Sequence, residues 1–78
     1  MKVGRKTSDC GKAFGAAVRQ QRIALGLSQE VLAERAGCHR NYMGRIERGE
    51  QNITLGMMVR VAMALKVSVS ALAKRANL

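Results

Sequence analysis

The chain has 78 residues, of which 14 are Lys or Arg and five are Asp or Glu, giving a formal net charge of +9, and it contains no proline and no tryptophan. That length allows one domain around one small core, and an apolar complement of Ala, Val, Leu, Ile and Met suits packed helices rather than strands. The charge calls for a polyanionic partner, because each neutralised phosphate releases condensed counterions.

Nine of the cations are Arg, whose planar fork matches phosphate and guanine and favours nucleic acid over loose attraction to a membrane surface. Cys10 and Cys38 belong to no CxxC pair, and His39 is the one histidine. A four-coordinate zinc site therefore lacks its ligands, and neither metal nor cofactor nor disulfide is expected. The acids are scattered, with no nucleophile–base pair and no phosphate loop, so no catalytic residue is assigned and an enzyme is not expected. The N-terminus carries no hydrophobic signal core. The Met-rich stretch after Thr54 is interrupted by Arg60 and Lys66, so no membrane span is expected and the location implied is cytoplasmic.

Residues 1–10, MKVGRKTSDC, are polar and basic without periodicity. They read as a flexible tail, either solvated or laid against a nucleic-acid backbone or minor groove, ahead of a domain over 11–78. A first helix is predicted from about Lys12 to Leu25, with Phe14, Val18, Arg22 and Leu25 inward and Gly26 as its left-handed terminator. Arg22 is the odd member, a charge on an apolar face. Ser28 caps a second helix from Gln29 to Ala36, with Glu30 where the helix dipole favours an anion, and Gly37 turns the chain sharply. Cys38 reads as a small buried apolar residue in that turn.

A third helix covers about Arg40 to Arg48 and stops at Gly49. Thr54 caps a fourth, with Leu55, Met58, Val61, Ala62 and Leu65 inward. Lys66–Val67 ends it. Ser68 or Ser70 caps a fifth, with Leu72 and Leu78 on its buried side. The fold class is all-α, five short helices around one core.

The middle of the chain carries the strongest pattern. Counting Gln29 as the first position, Ala33 falls fifth, Gly37 ninth, Met43 fifteenth and Ile46 eighteenth. Ala33 is small where two helices cross, Gly37 permits the turn, and Leu32, Met43 and Ile46 fill the wedge between them. At about 100° per residue, Arg40, Asn41, Gly44, Arg45 and Arg48 share an arc of about 140°, with Tyr42, Met43, Ile46 and Glu47 on the other side. Two helices joined by a tight turn, the second bearing arginines outward, is how a small protein sets a helix in the major groove. Arg reads guanine O6/N7 and Asn reads adenine N6/N7. Gly44 costs about 1 kcal/mol of helix propensity; it brings backbone near DNA, or a side chain does not fit.

From about Phe14 to Leu72, through GLSQEVLAERAG (Gly26 to Gly37), YMGRIERG (Tyr42 to Gly49) and MALKVS, the chain resembles the phage repressor/Cro-like helix-turn-helix family (XRE type). HRNYMGRIERGEQNITL, His39 to Leu55, looks especially like the controller proteins of restriction-modification systems. The resemblance implies a compact five-helix lambda-repressor-like domain that regulates transcription in the cytoplasm, on nucleoid DNA. It implies base contacts by Arg40, Asn41 and Arg45. It also implies backbone contacts by Gln29, Arg48, Gln51 and Asn52, with Tyr42 either packing or touching backbone. Arg22 and Glu47 match a pair that forms a structural salt bridge between helices one and three. His39 stands at a capping site where Ser or Asp is more usual, which implies a weaker cap.

A unit this small reads few base pairs. It is expected to bind a two-fold symmetric double-stranded operator as a homodimer, and the resemblance implies a dimer contact on helix five and the loop before it, around Val69 to Leu78. An antitoxin that also represses its own gene, with a toxin protein as partner, is the alternative. A coat protein with no site preference is a further one.

Overall fold

Five helices make up the fold in a computed structural model that describes residues 7–78: α1 (Thr7–Ala24), α2 (Gln29–Ala36), α3 (Arg40–Arg48), α4 (Leu55–Ala64) and α5 (Val69–Arg75). The side chains of Ser28, Thr54 and Ser68 accept from the backbone N–H of Val31, Met57 and Ala71, each satisfying one orphan donor of the helix that follows. Ser68, not Ser70, is the cap of α5. His39 fills the same role for α3 with its ring, Nδ1 accepting from Asn41 N at 3.1 Å. Gly26, Gly37 and Gly49 close α1, α2 and α3 at φ 70°, 74° and 74°, the left-handed region that glycine enters without a Cβ penalty.

The Cα radius of gyration is 11.4 Å, close to the value of about 11.5 Å expected of one compact domain of this length. All five helices contribute to a single core: Phe14, Ala17 and Val18; Leu32, Ala33 and Ala36; Met43 and Ile46; Val61, Ala62 and Leu65; Leu72 and Ala76. Cys38 is half-buried against it, and that burial pushes its thiol up against the opposing pull of the Arg60 guanidinium. Among the described residues no single helix is long and apolar enough to cross a membrane.

Four sequence expectations need correction. Helix α1 begins at Thr7 rather than Lys12; residues 1–6 of the expected tail lie outside the described residues. The added turns rest on tertiary contact, since a Cβ on Gly11 would stand 3.5 Å from Gly49 O. Leu25, Leu55 and Leu78 are exposed, not inward. Leu25 lies beyond the last residue of α1, and Leu55 opens α4 on its solvent side.

One close approach of two helices leaves no mark in the sequence pattern. Gly15 is buried, and a Cβ there would lie 2.6 Å from Glu47 O and closer still to Ile46 O. Helices α1 and α3 therefore cross with their backbones nearly touching. Arg60, a lone cation on an otherwise uncharged helix, also has a structural role. Its Nε donates to Ala36 O at 2.9 Å and its Nη2 to Gly37 O at 2.7 Å. It thereby supplies donors and positive charge to the C-terminus of α2 and fastens α4 to the turn before α3.

Candidate nucleic-acid interface

The angle of α3 is set from beneath by a buried polar cluster. Glu47, with its side chain 2% exposed, accepts from Arg22 Nε at 2.7 Å and from Arg22 Nη2 at 3.0 Å. The same carboxylate accepts from Gln29 Nε2 at 3.0 Å, and Arg22 Nη1 donates to Leu27 O at 2.9 Å. This is a bidentate, charge-assisted pair with its remaining hydrogen-bonding groups occupied, the geometry that makes a buried ion pair tolerable. It ties α1, the turn before α2, α2 and α3 at one point. Gln29, expected at a phosphate, thus has one of its two amide N–H groups committed to Glu47. It also stands at the N-terminus of α2, where backbone N–H groups favour an anion.

On the opposite face of α3, Arg40, Asn41, Arg45 and Arg48 are all exposed, and Tyr42 is half-buried against the core. Arg40, Asn41, Gly44, Arg45, Arg48 and Gln29 line one shallow depression of about 320 Å³. Gln51 joins them through Arg45. Asn52 stands apart, beside Cys10, Gly11 and Phe14 where the loop after α3 meets α1. Two of the three arginines are tethered through Nε to that loop: Arg45 to Gln51 Oε1 at 3.1 Å and Arg48 to Glu50 Oε1 at 3.0 Å. Arg45 also lies over the Tyr42 ring, 5.8 Å from its centroid.

The tethers, the Gln29–Glu47 bond and the Arg60 cap went unread in the sequence. Only Arg60 left a signal there, as the one charge in LGMMVRVAMA. The tethers cross the left-handed turn at Gly49, and no helical spacing rule reaches over such a turn.

Gly44 sits under Arg48 and Gln29, and a Cβ there would meet Arg48 Nη1 at 3.1 Å. That obstacle is the free end of a flexible side chain. Gly44→Ala is therefore expected to raise the melting temperature slightly, since alanine gains up to about 1 kcal/mol in a helix. The displaced Arg48 should at the same time weaken binding to duplex DNA. A thermal melt and a titration of one variant check both signs.

An arginine-bearing helix is thus held at a fixed angle by a buried ion pair, with its outer face exposed among the described residues. Residues 18–72, more than half of the chain, match the family model described as Helix-turn-helix. The chain belongs to the helix-turn-helix family, whose members are DNA-binding transcription regulators rather than enzymes. Control protein C.SmaI of Serratia marcescens is 48% identical over 61 residues, covering 78% of this chain and 73% of that protein. Control protein C.BamHI of Bacillus amyloliquefaciens is 39% identical over 62 residues, with coverage of 78% and 76%. Among solved structures, the restriction-modification controller protein C.AhdI from Aeromonas hydrophila superposes with a TM-score of 0.77 at 41% identity, over 78% of this chain and 92% of that one. The clp gene regulator ClgR of Corynebacterium glutamicum gives 0.86 at 29% identity over 87% of each.

Proposed function

We propose that this protein is a sequence-specific regulator that binds a two-fold symmetric double-stranded operator as a homodimer, with α3 in the major groove. The observation that carries this reading is the exposed row Arg40, Asn41 and Arg45 on a helix whose inner side is locked by Arg22 and Glu47. Arg40, Asn41 and Arg45 meet base edges, while Arg48, Gln51, Asn52, Tyr42 and the N-terminus of α2 at Gln29 meet the backbone. The control-protein relatives favour a role in governing a restriction-modification system, in the cytoplasm on nucleoid DNA. They favour it over the antitoxin alternative, which predicts a toxin that copurifies in stoichiometric amount.

We place the dimer contact on α4 rather than around Val69 to Leu78. Leu72 and Ala76 are buried in the core of their own chain. By contrast Leu55, Val59 and Met63, at steps of four along α4, are 69%, 41% and 72% exposed. A chain of charge +9 meets its own copy best through a surface without free charge, and the one cation of α4, Arg60, is tied to Ala36 and Gly37. Met63→Glu is expected to yield a folded monomer by sedimentation, with affinity for the full dyad site lowered about a hundredfold through loss of the linked second half. A Met63→Glu protein that still sediments as a dimer would place the contact elsewhere.

Selection of binding sites from random duplex, followed by footprinting, tests the function itself. Two half-sites about one helical turn apart and related by a dyad are expected. Equal affinity for every duplex, with steep salt dependence and no preferred site, would mark a coat protein instead.

A further inference from the structure

Arg45 is the most constrained of the outward arginines. Its Nε donates to Gln51 Oε1 at 3.1 Å, and its guanidinium lies over the Tyr42 ring, which is itself packed against the core. A guanidinium offers two forks to a planar acceptor pair: the side edge, Nε with one terminal nitrogen, and the end, Nη1 with Nη2. With Nε occupied, only the end-on fork remains. We infer that Gln51 is a specificity-determining positioning residue, which with Tyr42 presents the terminal nitrogens of Arg45 end-on to a guanine, O6 and N7 being the acceptor pair that fits.

This inference rests on the base-reading role proposed for Arg45, and it changes the role of Gln51. As a backbone contact alone, Gln51 would add affinity on every duplex. As the group that orients Arg45, it sets the preference at one base pair of each half-site without touching that base. Because Oε1 is the atom that accepts from Arg45, the amide Nε2 of Gln51 stays available to a phosphate oxygen, so one side chain registers the reading arginine against the DNA backbone. Glu50 holds Arg48 in the same manner, but Arg48 stands one turn nearer the end of α3, where the helix runs out against the backbone. Arg40, at the first residue of α3, has no such partner among the described residues. Positional fidelity is therefore concentrated at Arg45.

The test uses the full chain and four proteins: the parent, Gln51→Ala, Gln51→Glu and Arg45→Ala. Each is put through site selection on random duplex and then titrated against single-base variants of the selected site. Gln51 is on a partly exposed loop, so circular dichroism should show all four folded. The parent is expected to prefer one base pair in each half-site by roughly ten- to a hundredfold, and Arg45→Ala to flatten that preference. Gln51→Ala should flatten the same position about fivefold or more and leave the other positions alone. Gln51→Glu keeps an acceptor for Nε, so it should retain the preference there while lowering affinity on all duplexes by phosphate repulsion. If Arg45→Ala flattens a position that Gln51→Ala leaves sharp, the positioning role is wrong and the base-reading role stands. If Arg45→Ala flattens no position, both are wrong.

Discussion

Arg22→Ala should cost the domain about 3–5 kcal/mol, because it strands a carboxylate in the interior with one partner left. Glu47 is 2% exposed at its side chain, and Arg22 supplies two of its three hydrogen bonds. The same change removes the donor to Leu27 O. A domain of this size is expected to hold only roughly 4–12 kcal/mol in total, so the variant should lose a large fraction of its stability. At about 4–8 °C per kcal/mol, the melting temperature should drop by more than ten degrees. The companion variant separates desolvation from packing. Arg22→Met combined with Glu47→Leu removes both charges and should recover most of the loss, since a matched apolar pair of similar volume often equals a buried ion pair. Melts followed by circular dichroism read both. A loss below about 1 kcal/mol for Arg22→Ala would mean that the pair is solvated and does not hold α3.

Gly15→Ala should destabilise the fold by about 2 kcal/mol even though alanine is the better helix former. The propensity gain is up to about 1 kcal/mol. Against it stand two main-chain carbonyls, Ile46 O and Glu47 O, inside the space a Cβ needs. Backbone cannot rotate away as a side chain can, so α1 and α3 must move apart, and overpacking of this kind typically costs about 1–3 kcal/mol or more. The displaced partner is α3 itself, so specific DNA binding should fall along with the melting temperature. Gly44→Ala is the built-in contrast. Both glycines sit in helices and both are buried, but only the neighbour of Gly44 is a flexible side-chain end. Equal effects from the two substitutions would contradict the close crossing of α1 and α3.

Those two glycines also show where sequence reasoning stops. Caps and terminators are local chemistry, so Ser28, Gly37, Gly49 and Thr54 mark the helix boundaries in the sequence itself. The wedge of Leu32, Met43 and Ile46 followed from helical spacing, as did the outward row on α3. Gly15 carries no local sign, because its requirement comes from Ile46 and Glu47 on α3, far away in the chain. The start of α1 was hidden for a related reason: Thr7 to Gly11 have no apolar rhythm, and their helical state draws on contact with Gly49. Leu55 and Leu25 were misplaced because periodicity assigns a face only inside a helix, and both stand at an end. Within the interface, residue types were legible while their couplings were not. Arg45 and Gln51 meet across a left-handed turn, and Gln29 reaches Glu47 between two helices.

Methylation interference at guanine N7 asks directly whether α3 reads guanines from the major groove. On the selected operator, N7 methylation should block the parent protein at guanines in two clusters, related by a dyad and about one helical turn apart. Arg45→Ala should lose sensitivity at one of those guanines in each half and keep it at the others. Binding that ignores N7 methylation everywhere, or an Arg45→Ala pattern identical to that of the parent, would show that the arginine face of α3 is not the reading surface.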